Sequence, residues 1–127
     1  MPMRHKRILM IDEQAFYRIC SAILEDEGYL TELFTSVNNL PVKLNRNEFG
    51  LIVISYPFGA FLLDEIRKWN ITTIVFTDNI DGSLISLLSG FENSYCMIKP
   101  LDYGKFRSLV RDVMNDNFVH RKGYTLV

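Results

Sequence analysis

Apolar residues along the chain form short runs of strand length that alternate with segments of helical periodicity. The first run, residues 8–11, is followed by apolar residues spaced so that they share one face of a helix. That face carries Phe16, Ile19, Cys20, Ile23 and Leu24. Gly28 is typical of the residue that follows a helix end. The pattern therefore predicts a strand, a helix that stops near Gly28, and a second strand at residues 29–34.

The same alternation continues to residue 113. Further strands are predicted at residues 51–54, 71–76 and 95–98, and the unbroken run "LIVI" fits a strand that is buried on both faces of a parallel sheet. Between residues 36 and 47, Pro41 fits the first turn of a short helix. The apolar residues assigned to the second to fifth helices are Val42 and Leu44; Leu62, Leu63, Ile66 and Trp69; Leu84, Ile85, Leu87 and Leu88; and Phe106, Leu109, Val110 and Val113. Asp102 is placed to cap the last of them.

Five strands alternating with about five helices predict an α/β fold. Short right-handed crossovers favour a flavodoxin-like three-layer sandwich, with a five-stranded parallel sheet in the order 2-1-3-4-5. We assign residues 1–127 to one domain, with a core at about residues 6–115 and a tail or the start of a linker at residues 116–127. In this order, ligands collect beyond the carboxyl ends of the strands, where the first and third strands diverge.

Composition narrows the class of protein. The chain has 127 residues, a net charge of −1, and two cysteines far apart in sequence. This charge provides no overall field for nucleic acid or an anionic membrane. The longest uncharged apolar stretch, residues 51–63, is too short to span a bilayer, and two distant cysteines do not make a disulfide framework. We therefore expect a reduced cytoplasmic protein without direct nucleic-acid or membrane partners.

Polar side chains follow four of the predicted strands. Asp12 and Glu13 come after the first strand, Ser55 after the third, Thr77 after the fourth, and Lys99 after the fifth. The carboxyl ends of parallel strands meet at one edge of the sheet, so these side chains are expected to converge. Two acids, a hydroxyl and a lysine in one crevice look like a site for a phosphoryl group and magnesium.

The chain resembles the receiver domains of bacterial two-component response regulators over about residues 6–115. The matching motifs are "ILMIDE", "EDEGY", the glycine that opens "GAFLLDEIRKW", "TIVFT" and "IKP". In that family an acidic pair binds Mg²⁺, and an aspartate that ends the third strand accepts phosphate from a histidine kinase. A threonine and a lysine contact the phosphoryl group. By this resemblance Asp12 and Glu13 match the acidic pair, Thr77 the threonine and Lys99 the lysine, while Ser55 stands at the phosphoacceptor position.

A serine at that position removes a nucleophile and one negative charge from the metal site. A serine hydroxyl needs an adjacent general base to attack, and a phosphoserine is a stable ester rather than an acyl phosphate. We therefore predict a degenerate phosphorylation pocket without a cofactor, in which Mg²⁺ binding by Asp12 and Glu13 is weak or lost. A role for Asp12 as a helix cap stays open beside the metal role. We expect Lys99 to pair with Asp12 or Glu13 rather than with phosphate.

Further departures from the family point the same way. Asp78 follows Thr77 where the family has a small residue, and its charge would repel a phosphoryl group if it points inward. Cys96 occupies the aromatic switch position, and Tyr95, one residue earlier, points to the opposite face of the sheet. We expect Cys96 to be partly exposed near the fourth helix. The resemblance alone makes Lys99-Pro100 a candidate cis peptide bond.

These features predict a pseudo-receiver in two-component phosphorelay signal transduction, a protein-interaction module rather than an enzyme. By the resemblance it would bind a protein partner or an output domain through its helix 4, strand 5 and helix 5 face, with a homodimer as one form. One alternative is a receiver that is phosphorylated with Mg²⁺ on a non-standard residue: Asp12, Glu13, Asp78 or Ser55. Another is a small-molecule-binding flavodoxin-like domain, against which the acidic or apolar loops "DEQ", "SYPFG" and "TDNIDG" argue.

Overall fold

A parallel sheet is the framework of the molecule. The structure is a computed structural model that describes residues 7–35, 40–46, 48–115 and 124–127. Within these residues the sheet has six strands in the order β2-β1-β3-β4-β5-β6. The strands are β1 (Arg7–Ile11), β2 (Leu30–Leu33), β3 (Phe49–Tyr56), β4 (Thr73–Thr77), β5 (Ser94–Ile98) and β6 (Tyr124–Leu126). The predicted α/β class and the order 2-1-3-4-5 are confirmed, and a sixth strand extends the sheet beyond β5.

Helices cover both faces of this sheet, as the flavodoxin-like prediction requires. They are α1 (Gln14–Asp26), α2 (Leu40–Asn45), α3 (Leu63–Ile66), α4 (Gly82–Leu88) and α5 (Tyr103–Met114). The predicted third helix is present, but only α3 is α-helical, because 3₁₀ turns at Ala60–Leu62 and Arg67–Trp69 flank it. Asn70 then adopts a left-handed conformation with φ of 53°, which ends the segment before β4. Gly28 has φ of 92° and ends α1 as predicted.

Two apolar layers pack on the opposite faces of the sheet. The α1/α5 layer contains Leu51 and Val53 of β3, whereas the α2–α4 layer contains Ile52 and Ile54. All four side chains have no exposed surface. The run "LIVI" therefore lacks hydrophobic–polar alternation because both of its faces are core.

Local exposure differs from the predicted helical faces at two places. Ile19 is 49% exposed, while Ser21 is buried and shares a hydrogen bond of 2.7 Å with Thr31. On α2 the buried residues are Leu40 and Leu44, and Val42 faces solvent. Burial of the Ser21 hydroxyl costs little free energy because it has a hydrogen-bond partner. A pattern of hydrophobic residues does not detect a polar residue of this kind, so the sequence did not place Ser21 on the inner face of α1. Residues 36–39 and 47 of the predicted second-helix segment lie outside the described residues.

Strand β6 belongs to the segment that was expected to be a tail or the start of a linker. Tyr124 lies opposite Ser94 and Leu126 opposite Cys96, in parallel register. The backbone N–H of Val127 continues the ladder by donating to the carbonyl oxygen of Cys96 at 2.9 Å. Three residues are too few to reveal a period in the sequence, so this strand was missed. None of the helices in the described part of the chain is long and apolar enough to cross a membrane.

Candidate functional site

The centre of the candidate site is a contact between the ends of β1 and β3. Asp12 follows β1 directly, and Ser55 lies within β3 rather than after it, because β3 continues to Tyr56. The Ser55 hydroxyl donates a hydrogen bond to Asp12 Oδ2 at 2.5 Å. Both side chains are buried, with 3% of Ser55 and 5% of Asp12 exposed. The structure therefore brings together the two residues that the strand-end argument placed at the point where strands diverge.

The second carboxylate oxygen of Asp12 is also engaged. The backbone N–H of Glu13 donates to Asp12 Oδ1 at 2.7 Å. Glu13 is the N-cap residue of α1, and no side-chain capping bond forms at this end. The suggested capping role of Asp12 is therefore wrong, because its side chain bonds to the next residue and not to the first turn of the helix.

The described residues offer few protein ligands for a Mg²⁺ ion. Glu13 is exposed, and both oxygens of Asp12 accept hydrogen bonds from the protein. Mg²⁺ requires oxygen ligands in near-octahedral geometry. Among the described residues there is no group of three or more His, Cys, Asp or Glu side chains that could hold a metal ion.

Thr77 and Asp78 form no hydrogen bond with Asp12 or Ser55 in the described part of the chain. The Thr77 hydroxyl is buried and bonds to its own loop, donating to the carbonyl oxygen of Asn79 at 2.7 Å and accepting from the Asn79 N–H at 3.2 Å. Asp78 is exposed. The Thr77 hydroxyl therefore serves to order the loop that leads into α4.

Lys99 interacts with an aromatic ring. Its ammonium nitrogen lies 4.4 Å from the centroid of the Phe16 ring, on the face of α1 that packs against the sheet. No ion pair joins Lys99 to Asp12 or Glu13 within the described part of the chain, so the expected pairing was wrong. Asp12 already receives two hydrogen bonds, and a ring offers the cation an alternative partner. Lys99-Pro100 is a cis peptide bond, and so is Tyr56-Pro57.

Tyr95 and Cys96 lie in different apolar layers, Tyr95 with α1 and α5 and Cys96 with α2, α3 and α4. The expectation that Cys96 is partly exposed was wrong, because only 1% of it is accessible. The helix layer covers its side chain, and β6 covers its backbone. Burial raises the pKa of the Cys96 thiol. For Cys20, burial and the nearby Asp12 carboxylate raise the pKa to about 12, against a smaller lowering effect of Lys99.

A second feature near the site was not predicted. A cavity of about 330 Å³ lies beside the end of β1 and is lined by Ile11, Phe34, Thr35, Phe58, Phe61 and Leu62. Phe58 is 50% exposed and Phe61 66% exposed. The motif "SYPFG" indicated a loop with aromatic residues, but a loop pattern carries no information on which way its side chains point. Phe16 was likewise assigned only to the core, and its contact with Lys99 depends on the tertiary structure.

Comparison with known proteins shows the fold. No protein-family model and no curated protein matches the sequence. Solved structures do match. A two-component response regulator from Clostridium difficile is 20% identical, with a TM-score of 0.74 over 90% of this chain and 99% of that one. The beryllofluoride-activated NtrC4 receiver domain dimer is 22% identical, with a TM-score of 0.69 over 89% and 99%.

A third match is an atypical orphan response regulator, described as having a phosphorylation-independent regulatory mechanism. It is 16% identical, with a TM-score of 0.64 over 90% of this chain and 98% of that one. All three comparisons extend over nearly the whole chain. The chain therefore has the fold of the receiver domains of response regulators, which confirms the resemblance found in its sequence motifs.

Proposed function

We propose that the chain is a receiver-like signalling module, not an enzyme, that acts by binding another protein and is not switched by phosphorylation at the end of β3. The observation that carries this proposal is the hydrogen bond from Ser55 to Asp12. It replaces a pair of carboxylates that would need a cation with one carboxylate and one hydroxyl, which are stable together without a metal.

The environment of Ser55 argues against its use as a phosphoacceptor. Its hydroxyl is buried and lies against a carboxylate. A phosphoryl group would add nearly two negative charges beside Asp12 in a place with little access to water. The ammonium group of Lys99 is held over the ring of Phe16, and the hydroxyl of Thr77 is bonded within its own loop. The cation and the hydroxyl donor that would contact a phosphoryl group therefore both have other partners.

Similarity to solved structures supports both the independence of phosphorylation and the binding of another protein. The orphan response regulator works by a phosphorylation-independent mechanism, and the NtrC4 receiver domain is a dimer in its beryllofluoride-activated form. A module of this fold that lacks a phosphoacceptor would be set by the differential affinity of its partner for two conformations.

The interaction surface in this proposal is the face formed by α4, β5 and α5. It carries three partly exposed large apolar side chains, Ile85, Ile98 and Tyr103. Exposed large apolar side chains on these three neighbouring elements favour a protein partner. The net charge of −1 gives no support for a nucleic-acid partner. We propose a cytoplasmic protein without a cofactor that binds an output protein, or a second copy, through this face.

Intact-mass spectrometry tests the proposal. The chain is incubated with Mg²⁺ and acetyl phosphate, and we expect no gain of a phosphoryl group. A substantial phosphorylated population, mapped to Asp12, Glu13, Asp78 or Ser55, would instead identify a receiver that uses a non-standard residue. A thermal-shift screen with flavins and nucleotides covers the small-molecule alternative, for which we expect no stabilisation.

A further inference from the structure

The cavity of about 330 Å³ beside β1 lies at the carboxyl ends of three neighbouring strands. Ile11 is the last residue of β1, Phe34 follows β2, and Phe58 comes shortly after β3. The described lining is completed by Thr35, Phe61 and Leu62. In parallel α/β sheets, ligands bind beyond these strand ends, at the point where the strand order reverses. The cavity therefore has the position of a ligand site, although neither Asp12 nor Ser55 is among its described lining residues.

The inner wall of the cavity belongs to the hydrophobic core. Ile11, Phe34 and Leu62 are buried and are members of the α2–α4 layer. The N–H of Phe34 donates to the carbonyl oxygen of Met10 at 2.8 Å, which holds the chain after β2 against β1. This wall is therefore built by the fold itself, as in most small-molecule sites, which are largely formed before the ligand binds.

Two phenylalanines, Phe58 and Phe61, form the exposed rim of the cavity. The turn that carries them is tied to β3, because the N–H of Gly59 donates to the carbonyl oxygen of Ser55 at 2.7 Å. The same turn lies directly on the end of β1, since a Cβ atom on Gly59 would be 3.1 Å from Cγ2 of Ile11. The two rings are thus exposed on a hydrogen-bonded turn. Rings held in place in this way bind a ligand at a lower cost in conformational entropy.

The size and the charge of the cavity indicate which ligands it accepts. None of the described lining residues is charged, and Thr35 is the one polar side chain among them. An apolar cavity of about 150 Å³ is large enough to bind benzene. A volume of about 330 Å³ therefore accommodates two fused rings. A flavin or a nucleotide would bring phosphate groups, which find no cationic partner in this lining.

A small molecule fits this site better than a protein partner does. A stable protein–protein interface buries about 800 Å² on each partner. On the described segment between β3 and β4, residues 57–72, Phe58 and Phe61 are the only large apolar side chains that are exposed. The exposed residues that follow them, Asp64, Arg67 and Lys68, are charged. Two rings at the mouth of a cavity can cover a small ligand, but they do not amount to an interface of that size.

We propose that this cavity binds a small uncharged molecule of one or two aromatic rings, which packs against the rings of Phe34, Phe58 and Phe61. The hydroxyl of Thr35 is the lining group that can bond to a polar substituent of the ligand. Such a molecule contacts both Ile11 and the turn after β3, so its binding stabilises the folded state. The site does not depend on the proposed function, because it lies at the ends of β1, β2 and β3 and not on the face formed by α4, β5 and α5.

Two probes that differ in charge test the proposal on the full chain. At neutral pH 2-naphthol is uncharged, whereas 2-naphthoate is an anion with the same two rings. In NMR titrations of the backbone amides we expect 2-naphthol to bind with a Kd below about 1 mM and to shift the signals of Ile11, Phe34, Thr35 and residues 58–62. We expect 2-naphthoate to bind at least about tenfold more weakly, because a charge is costly to bury without a partner. Equal binding of the two probes, no saturation by 2-naphthol, or shifts centred on other residues would overturn the proposal.

Two alanine variants locate the binding site. Phe61 and Ile19 are both exposed, so neither substitution removes a core side chain, and Ile19 lies on α1, which covers the opposite face of the sheet from the cavity. We expect Phe61→Ala to weaken 2-naphthol binding about three- to tenfold through the loss of an aromatic contact, and Ile19→Ala to leave it unchanged. Equal effects of the two substitutions would contradict the assignment of the site.

Sedimentation equilibrium without a probe tests the other occupant of an apolar cavity, a second copy of the chain. We expect the same molecular mass for the unmodified chain and for Phe61→Ala. A dimer of the unmodified chain that Phe61→Ala abolishes would overturn the proposal, since a neighbouring molecule would then cover the cavity.

Discussion

Ser55 and Asp12 form a buried hydrogen bond of 2.5 Å between the ends of β3 and β1. This contact joins the two strands at the point where ligand sites of parallel α/β sheets develop. A carboxylate can be buried when hydrogen-bond donors surround it, and Asp12 has a donor on each oxygen, the Ser55 hydroxyl and the Glu13 N–H. The serine therefore stabilises a charge that in a phosphorylatable pocket a cation would stabilise.

Ser55→Asp should convert this contact into a metal-dependent one. In EDTA, two carboxylates at hydrogen-bond distance repel each other, and we expect a loss of about 2–4 kcal/mol in the free energy of unfolding. Millimolar Mg²⁺ should recover part of the loss, because binding to the folded state alone stabilises it. Thermal unfolding with and without Mg²⁺ measures both effects.

Ser55→Ala is the control for the Ser55→Asp experiment. It removes the donor and leaves Asp12 Oδ2 without the hydroxyl, which should cost about 1–3 kcal/mol without any recovery in Mg²⁺. If the unmodified chain is stabilised by Mg²⁺ as strongly as Ser55→Asp, then Ser55 does not set the metal affinity of the site.

Gly59 holds the loop after β3 against the sheet. A methyl group added at Gly59 should disrupt the packing of this loop. The N–H of Gly59 donates to the carbonyl oxygen of Ser55 at 2.7 Å. A Cβ atom at this position would lie 2.6 Å from Cγ1 and Cδ1 of Ile54. We expect Gly59→Ala to lower the free energy of unfolding by about 1–3 kcal/mol in urea denaturation, because the buried side chain has to shift.

A matched control and a double variant sharpen the Gly59 prediction. Gly82→Ala, where no heavy atom lies within 4 Å of the added Cβ, should be neutral or slightly stabilising. Ile54→Ala removes the clashing atoms, so the double variant should lose less stability than the sum of the two single ones. Strict additivity would show that the clash with Ile54 is not the cause.

Some features of the fold were accessible from the sequence because they depend on local pattern. The unbroken run of β3 indicated a strand buried on both faces, and the rule that parallel strands end at one edge placed Asp12 near Ser55. The N-cap of α5 was also predicted from the sequence, and the structure confirms it: the Asp102 side chain accepts a hydrogen bond from Lys105 N–H at 3.0 Å.

Other features depend on tertiary contacts that no local pattern records. Strand β6 is too short to have a period, so its pairing with β5 is visible only in the assembled sheet. Cys96 is covered partly by this strand, so its burial could not be predicted without it. The position of Lys99 over Phe16 was missed because the ring was counted as core and the ammonium group was assigned to the nearest acids.

Alkaline pH should destabilise the protein through Cys20. The pKa of its thiol is raised in the folded state from an ordinary value of 9.0 to about 12. Below pH 9 the thiol is neutral in both states and has no effect on stability. Between pH 9 and 12 the unfolded chain releases the proton first, so stability should fall with rising pH by up to about 1.4 kcal/mol per pH unit.

Comparison of two alanine variants isolates this contribution. Urea denaturation from pH 8 to 11 should give a shallower decline for Cys20→Ala than for the unmodified chain, because the Cys20 thiol no longer titrates. Cys96→Ala should retain the part of the decline that Cys20 causes. Parallel pH curves for the unmodified chain and Cys20→Ala would contradict the role of Cys20.

The contact between Lys99 and Phe16 should be measurable as a coupling energy. A cation over a ring at 4.4 Å contributes about 0.5–2 kcal/mol, depending on how far it is shielded from water. Lys99→Met removes the charge while keeping the length of the side chain, and Phe16→Leu removes the ring while keeping an apolar side chain.

Phe16 also packs edge-to-face on Phe76 at 5.5 Å, so the single variant Phe16→Leu would overstate the cation contact. The double-mutant cycle cancels that loss, and urea denaturation of all four proteins should give a coupling of about 0.5–1 kcal/mol. A coupling energy near zero would mean that the ring does not hold Lys99, so its ammonium group could bind a ligand. That result would weaken the proposal that the pocket is not used for phosphorylation.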